Sequence, residues 1–148
     1  MNKEFIRVRS TKDITLSTII LAAGTVCIVL PLPTSVKIFG FVLLFIGIVL
    51  FLTCKTAYKD TETGVKYSKK ERFFAQGLRQ SISDAIASKP ENVNLAEEDK
   101  GNGVRLDIYH SKEAGKAYVQ LFEYIPYKYE PCSVIYEYEV SEVNNLIK

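Results

Sequence analysis

The sequence predicts a membrane α-hairpin plus an α+β domain: two transmembrane helices, then a small domain with one helix on a three-stranded antiparallel sheet, in the order α-β-β-β. Three observations lead there. The 41 residues between Asp13 and Lys55 hold a single charged side chain, Lys37. Pro31-Leu32-Pro33 divides that run near its middle, leaving two segments that each approach the length of a bilayer core. From Val104 onward the chain alternates apolar and polar residues in three runs joined by connections of hairpin length.

The resulting division is a cytoplasmic N-terminal flank over 1–13, a transmembrane hairpin over 14–54, a juxtamembrane linker or short β-hairpin over 55–67 and a cytosolic α+β domain over 68–148. The first span is expected over about 14–30 and the second over about 34–53. Proline cannot continue the first helix, and it suits the start of the second. Ser17 and Gly24 are seven residues apart, as are Gly40 and Gly47. Reflecting the hairpin about Leu32 sets Gly24 level with Gly40 and Ser17 level with Gly47. These four small residues are therefore the predicted helix-packing face, because they let two backbones approach where lipid supplies no hydrophobic drive. A second apolar segment follows the first at once, and no small-residue cleavage site separates them, so no signal-peptide cleavage is expected.

Within the soluble part, Ser68-Lys69-Lys70-Glu71 has the form of a capping box. It predicts a helix to about Ser88, with Phe74, Leu78, Ile82, Ala85 and Ile86 on one face and Lys89-Pro90 as its end. Strands are predicted over 104–110, 117–124 and 132–140, and a short helix within 141–148. The helix can cover only one side of the sheet, over Leu106, Ile108, Val119, Leu121 and Tyr136. Tyr109, Tyr118, Phe122 and Ile135 are then left on the other side as the candidate interaction surface. Seven of the nine tyrosines lie between Tyr109 and Tyr138, and an aromatic patch of that kind marks a binding face.

Charge and composition exclude several classes. Residues 1–55 carry six Lys/Arg against two acids, and residues 56–148 carry thirteen against fifteen. The basic excess flanks the apolar segments instead of the soluble domain, so no nucleic-acid polymer is expected as a partner. Lys3, Arg7, Arg9 and Lys12 before the first span, and Lys55 with the lysines after the second, place both termini in the cytoplasm. A bacterial inner (plasma) membrane is the expected location. Cys27, Cys54, Cys132 and the single histidine, His110, are too few and too scattered for a metal site. No metal or other cofactor is expected. The acidic run Glu97-Glu98-Asp99 reads as a solvated loop, and Gly101-Asn102-Gly103 as a turn.

The leading functional expectation is a non-enzymatic, membrane-anchored interaction or scaffold module. It would self-associate as a homo-oligomer or dock a cytosolic protein through its soluble domain. The layout of two membrane helices and a small cytosolic domain resembles that of cyclic-oligonucleotide-sensing membrane effectors of prokaryotic defence, a resemblance of layout and not of motif. It implies the alternative: a ligand-gated oligomeric effector whose cytosolic domain binds a small anionic signal. A third expectation is a hydrolase or transferase using His110 as a base. No catalytic residue is assigned, since no nucleophile motif accompanies that histidine.

Overall fold

Two apolar helices dominate the first third of the chain. The structure, a computed structural model, describes residues 3–148, so residues 1 and 2 of the predicted flank lie outside it. Residues 7–57 form one compact unit, and residues up to Ile6 together with Tyr58–Lys148 form another.

In the first unit, α1 spans Thr11–Val29 and α2 spans Thr34–Leu52. Each has 19 residues and is about 28 Å long. Both are long and apolar enough to cross a membrane. α1 begins three residues earlier than predicted, taking in Lys12 and Asp13. Asp13 suits the first turn of a helix because the unpaired N–H groups there favour negative charge, and its carboxylate also accepts the Lys55 N–H at 3.0 Å. Ser17, Gly24, Gly40 and Gly47 are the buried residues of the two helices. A Cβ on Gly24 would sit 2.8 Å from the Gly40 carbonyl oxygen, and one on Gly40 would sit 2.9 Å from the Gly24 carbonyl oxygen. Only hydrogen fits at either position. At Gly47 the space is filled by Leu21, 2.7 Å from where a Cβ would lie. Ser17 donates its hydroxyl to the Ile14 carbonyl at 2.9 Å, which satisfies a buried polar group within its own helix. Large side chains such as Ile19, Phe41, Phe45 and Leu52 point outward.

The remaining structure is built on a sheet of seven strands, not three. They are β1 (Phe5–Arg9), β2 (Thr56–Asp60), β3 (Lys66–Phe74), β4 (Val104–Ser111), β5 (Lys116–Ile125), β6 (Lys128–Pro131) and β7 (Tyr136–Glu139). The order is β1-β2-β3-β4-β5-β6, with β7 also paired to β5.

Four segments account for the extra strands, the first being the predicted flank, which holds β1. The predicted helix over 68–88 is a strand in its first part. Ser68 through Phe74 pair residue for residue with His110 through Val104, and the helix α3 starts only at Arg79 and ends at Ser88. A helix-favouring Lys-Lys-Glu-Arg stretch yields because a seven-residue ladder to a central strand outweighs local propensity. Ser68 is therefore no helix cap, and Phe74 is core on β3, not on α3. The segment 55–67, expected as a linker or short hairpin, is the hairpin: it contributes β2 and the start of β3. Finally, the strand predicted over 132–140 is cut back to β7, and β6 forms before it, in the segment expected as a hairpin connection. Phe122 pairs with Pro131 and Val119 with Tyr136, so Cys132–Ile135 inserts two extra residues as a bulge on one edge of β5. Ser133 fills the gap, its Oγ accepting the Leu121 N–H at 2.9 Å. An even insertion keeps Tyr136 and Tyr138 on the core side, but Val134 falls in the bulge, 65% exposed.

The core lies between one sheet face and α3 with the C-terminal helix α4 (Asn144–Ile147). Phe74, Leu106, Ile108, Val119, Leu121, Ile86 and Leu146 are buried there. Tyr138 Oη donates to the Ile86 carbonyl at the end of α3, and Arg72 Nε donates to the Leu146 carbonyl at 3.1 Å.

Candidate functional site

The sheet face away from α3 carries the unusual chemistry. Odd-numbered residues of β3 and β4 and even-numbered residues of β5 point to it, because strand side chains alternate and the register pairs Lys69 with Tyr109, Glu71 with Asp107 and Phe73 with Arg105. Along this face lie three zones.

At one end is an aromatic cluster that the sequence reading left open. Phe5 stacks on Tyr109 with ring centroids 4.2 Å apart and planes 7° from parallel. It also meets Tyr67 edge-on at 5.5 Å and Tyr118 at 5.7 Å. Tyr58 meets Tyr109 edge-on at 5.3 Å. The predicted surface is corrected here: Tyr118 is 2% exposed, roofed by residues 5 and 67, and Tyr109 is half-buried. The cover comes from the segment read as a flank and the segment read as a linker or short hairpin.

A buried carboxylate holds that roof in place. Asp60 is fully buried and accepts from Lys3 Nζ at 2.8 Å, from Thr63 Oγ1 at 2.8 Å and from the Glu62 N–H at 3.1 Å. Asp60-Thr61-Glu62-Thr63-Gly64 is thus a side-chain-braced turn joining β2 and β3, closed by Gly64 at φ +74°. Burial alone would push the Asp60 carboxyl up, but the bonds from Lys3, Thr63 and the Glu62 N–H outweigh it and hold it below the usual carboxylate range.

At the centre is a charge cluster. Asp107 is 1% exposed. It accepts from Arg105 Nε at 2.7 Å and Nη2 at 3.1 Å, a bidentate pair, and from Lys69 Nζ at 2.9 Å. Lys69 also reaches Glu71 at 2.6 Å. Burial pushes the Asp107 carboxyl up, against the pull of Lys69 and Arg105.

At the far end the bidentate pair fixes the Arg105 guanidinium between two rings, 4.8 Å from the Phe122 centroid and 4.7 Å from that of Tyr129. Tyr129 meets Phe73 and Tyr124 edge-on at 6.3 and 5.3 Å. These groups are half-exposed. Beside them opens a cleft of about 760 Å³ whose lining includes Phe73, Leu95, Glu98, Asp99, Asn102 and Tyr129.

Of the four predicted surface residues, the fold therefore separates the set. Phe122 belongs to the arginine–aromatic end, Tyr109 and Tyr118 to the internal cluster, and Ile135 to the bulge between β6 and β7, half-buried. Phe73, Arg105 and Tyr129 were missed. Phe73 was hidden by the helix reading of 68–88. Arg105 carried a usable signal, an Arg-x-Asp pair two apart in an alternating strand, which shares one face. His110 lies at the end of β4, half-buried, its pKa lowered by burial and then by the charge of Lys112. Among the described residues no group of three or more His, Cys, Asp or Glu could hold a metal ion. No protein-family model, no curated protein and no solved structure matches this chain.

Proposed function

We propose that this chain is a membrane-anchored, non-enzymatic docking module. In this reading α1 and α2 span a plasma membrane as a hairpin with both termini cytoplasmic, and the sheet unit associates with a second copy of itself or with a cytosolic protein. The observation that carries it is the arginine–aromatic end of the outer sheet face. Arg, Tyr and Phe are the residue types enriched at interface centres. Here the guanidinium is already held by Asp107 between Phe122 and Tyr129, so little side-chain entropy is lost on binding. Gly24 and Gly40 are occupied by each other and Gly47 by Leu21, so self-association draws on the sheet face and not on a glycine seam between hairpins.

The cleft supports the second reading, a ligand-gated effector, since its volume is that of a small-molecule site. Its rim carries Asp99 beside Lys100, and Glu98 is paired with Arg72 at 3.0 Å, so the lining is close to charge-balanced.

The test of the leading reading is the mass in solution of the full chain in micelles. Phe122→Ala should weaken association with little change in thermal stability. Its neighbour Leu121, fully buried, should when cut to Ala cost about 2–5 kcal/mol of stability. A wild-type chain that stays monomeric and retains no partner on crosslinking in its own cells refutes the docking reading. Labelling of a cysteine at Thr34 but not at Asn145 from outside intact cells tests the orientation.

A further inference from the structure

Four cations gather where the two helices of the hairpin begin and end. Arg7, Arg9, Lys12 and Lys55 are all exposed, and among the described residues none of them is in an ion pair with a carboxylate. The one acid of the unit at this end, Asp13, is engaged by the Lys55 N–H. The cations are held together by backbone structure: the Ser10 N–H donates to the Lys55 carbonyl at 2.8 Å, and the Arg9 guanidinium lies 5.2 Å from the Phe51 ring centroid. The opposite end of the hairpin carries only Lys37.

From this basic end a groove of about 390 Å³ runs along α1. It is lined by Thr11, Lys12 and Thr15 at its polar end and by Leu16 and Ile19 further in. Leu16 and Ile19 are 54% and 61% exposed, and Thr15 turns its hydroxyl inward to the Thr11 carbonyl at 2.8 Å. The groove thus changes from cationic and hydroxylic to wholly apolar over one side of the helix, about 12 Å along its axis.

We infer that this end of the hairpin is a binding site for an anionic phospholipid, its phosphate among Arg9, Lys12 and Lys55 and one acyl chain along Leu16 and Ile19. The inference rests on the membrane reading above and adds a ligand to it. Charge complementarity selects the occupant: four cations against one carboxylate, Asp13, favour a headgroup with net negative charge over a zwitterionic one. The apolar half selects a lipid over a free phosphate.

The test uses the full chain reconstituted in phosphatidylcholine vesicles containing trace spin-labelled phosphatidylglycerol or spin-labelled phosphatidylcholine. The motionally restricted fraction of each probe is read by electron paramagnetic resonance. At low salt the anionic probe should be preferred by at least about fivefold, the contribution of a single basic side chain near the surface. The preference should shrink at high salt. Arg9→Gln with Lys12→Gln and Lys55→Gln, all exposed positions, should bring the ratio to one, and Lys37→Gln should leave it unchanged. A chain that floats with the vesicles yet shows no preference overturns this inference alone, as does a preference lost in Lys37→Gln and kept in the triple variant. A chain that does not float with either vesicle overturns the membrane reading with it.

Discussion

Cutting Phe5 to alanine tests whether the N-terminal segment is structural or a loose flank. Its ring contacts Tyr109, Tyr67 and Tyr118 at 4.2, 5.5 and 5.7 Å, and its removal takes the stacking partner from Tyr109 and part of the roof from Tyr118. Each aromatic pair contributes about 0.5–1.5 kcal/mol beyond area burial. Because Phe5 is itself half-exposed, the cost of Phe5→Ala falls at the lower end of that for buried rings, about 3 kcal/mol. For a unit of this size that lowers the melting temperature by more than about 10 °C. The assay is the loss of tyrosine near-ultraviolet circular dichroism on heating the full chain in micelles. Phe5→Leu keeps the apolar volume and loses only the ring geometry, so it should cost about 1 kcal/mol. A shift below about 3 °C for Phe5→Ala would refute the reasoning and return residues 3–6 to the status of a flank.

Gly40→Leu should force the helices apart at a cost of about 1–3 kcal/mol, seen as earlier loss of hairpin helicity on heating in micelles. Phe41→Leu, at a position 61% exposed, should behave as wild type. Asp60 has a folded pKa held below its unfolded one, so its contribution is present above about pH 4 and is lost as pH falls toward the folded value. Asp60→Asn should therefore destabilise the unit at pH 7 by about 3 kcal/mol and flatten the acid limb of the stability curve. An acid limb identical to wild type in denaturant titrations would contradict the pairing with Lys3. Tyr127, fully exposed at φ +73° in the two-residue β5–β6 turn, sits in a conformation that disfavours L-residues. Tyr127→Asn should stabilise by about 0.5 kcal/mol and Tyr127→Val should destabilise by about 1 kcal/mol, both by denaturant melts.

Part of this architecture was legible in the residues alone. A run with a single charge, Lys37, broken by Pro31-Leu32-Pro33 forces two apolar helices, since each helix closes its own hydrogen bonds and needs no distant partner. The alternation in Val104–His110 and Ala117–Tyr124 marks strands for the same local reason, and it places Leu106, Ile108, Val119 and Leu121 on one side whatever pairs with them. What only the tertiary structure decided concerns segments whose conformation depends on a remote neighbour. Ser68–Phe74 has the local chemistry of a helix start, and becomes a strand because β4 offers it a ladder. Cys132–Ile135 breaks a strand only because Ser133 meets Leu121 across β5. Phe5 roofs Tyr118 because Lys3 reaches Asp60 over 57 residues of sequence. Periodicity reports which side of an element is apolar, but not which element will come to lie over it. The candidate surface therefore moved from Tyr109 and Tyr118 toward Phe73, Arg105 and Tyr129 once the fold assigned the roof.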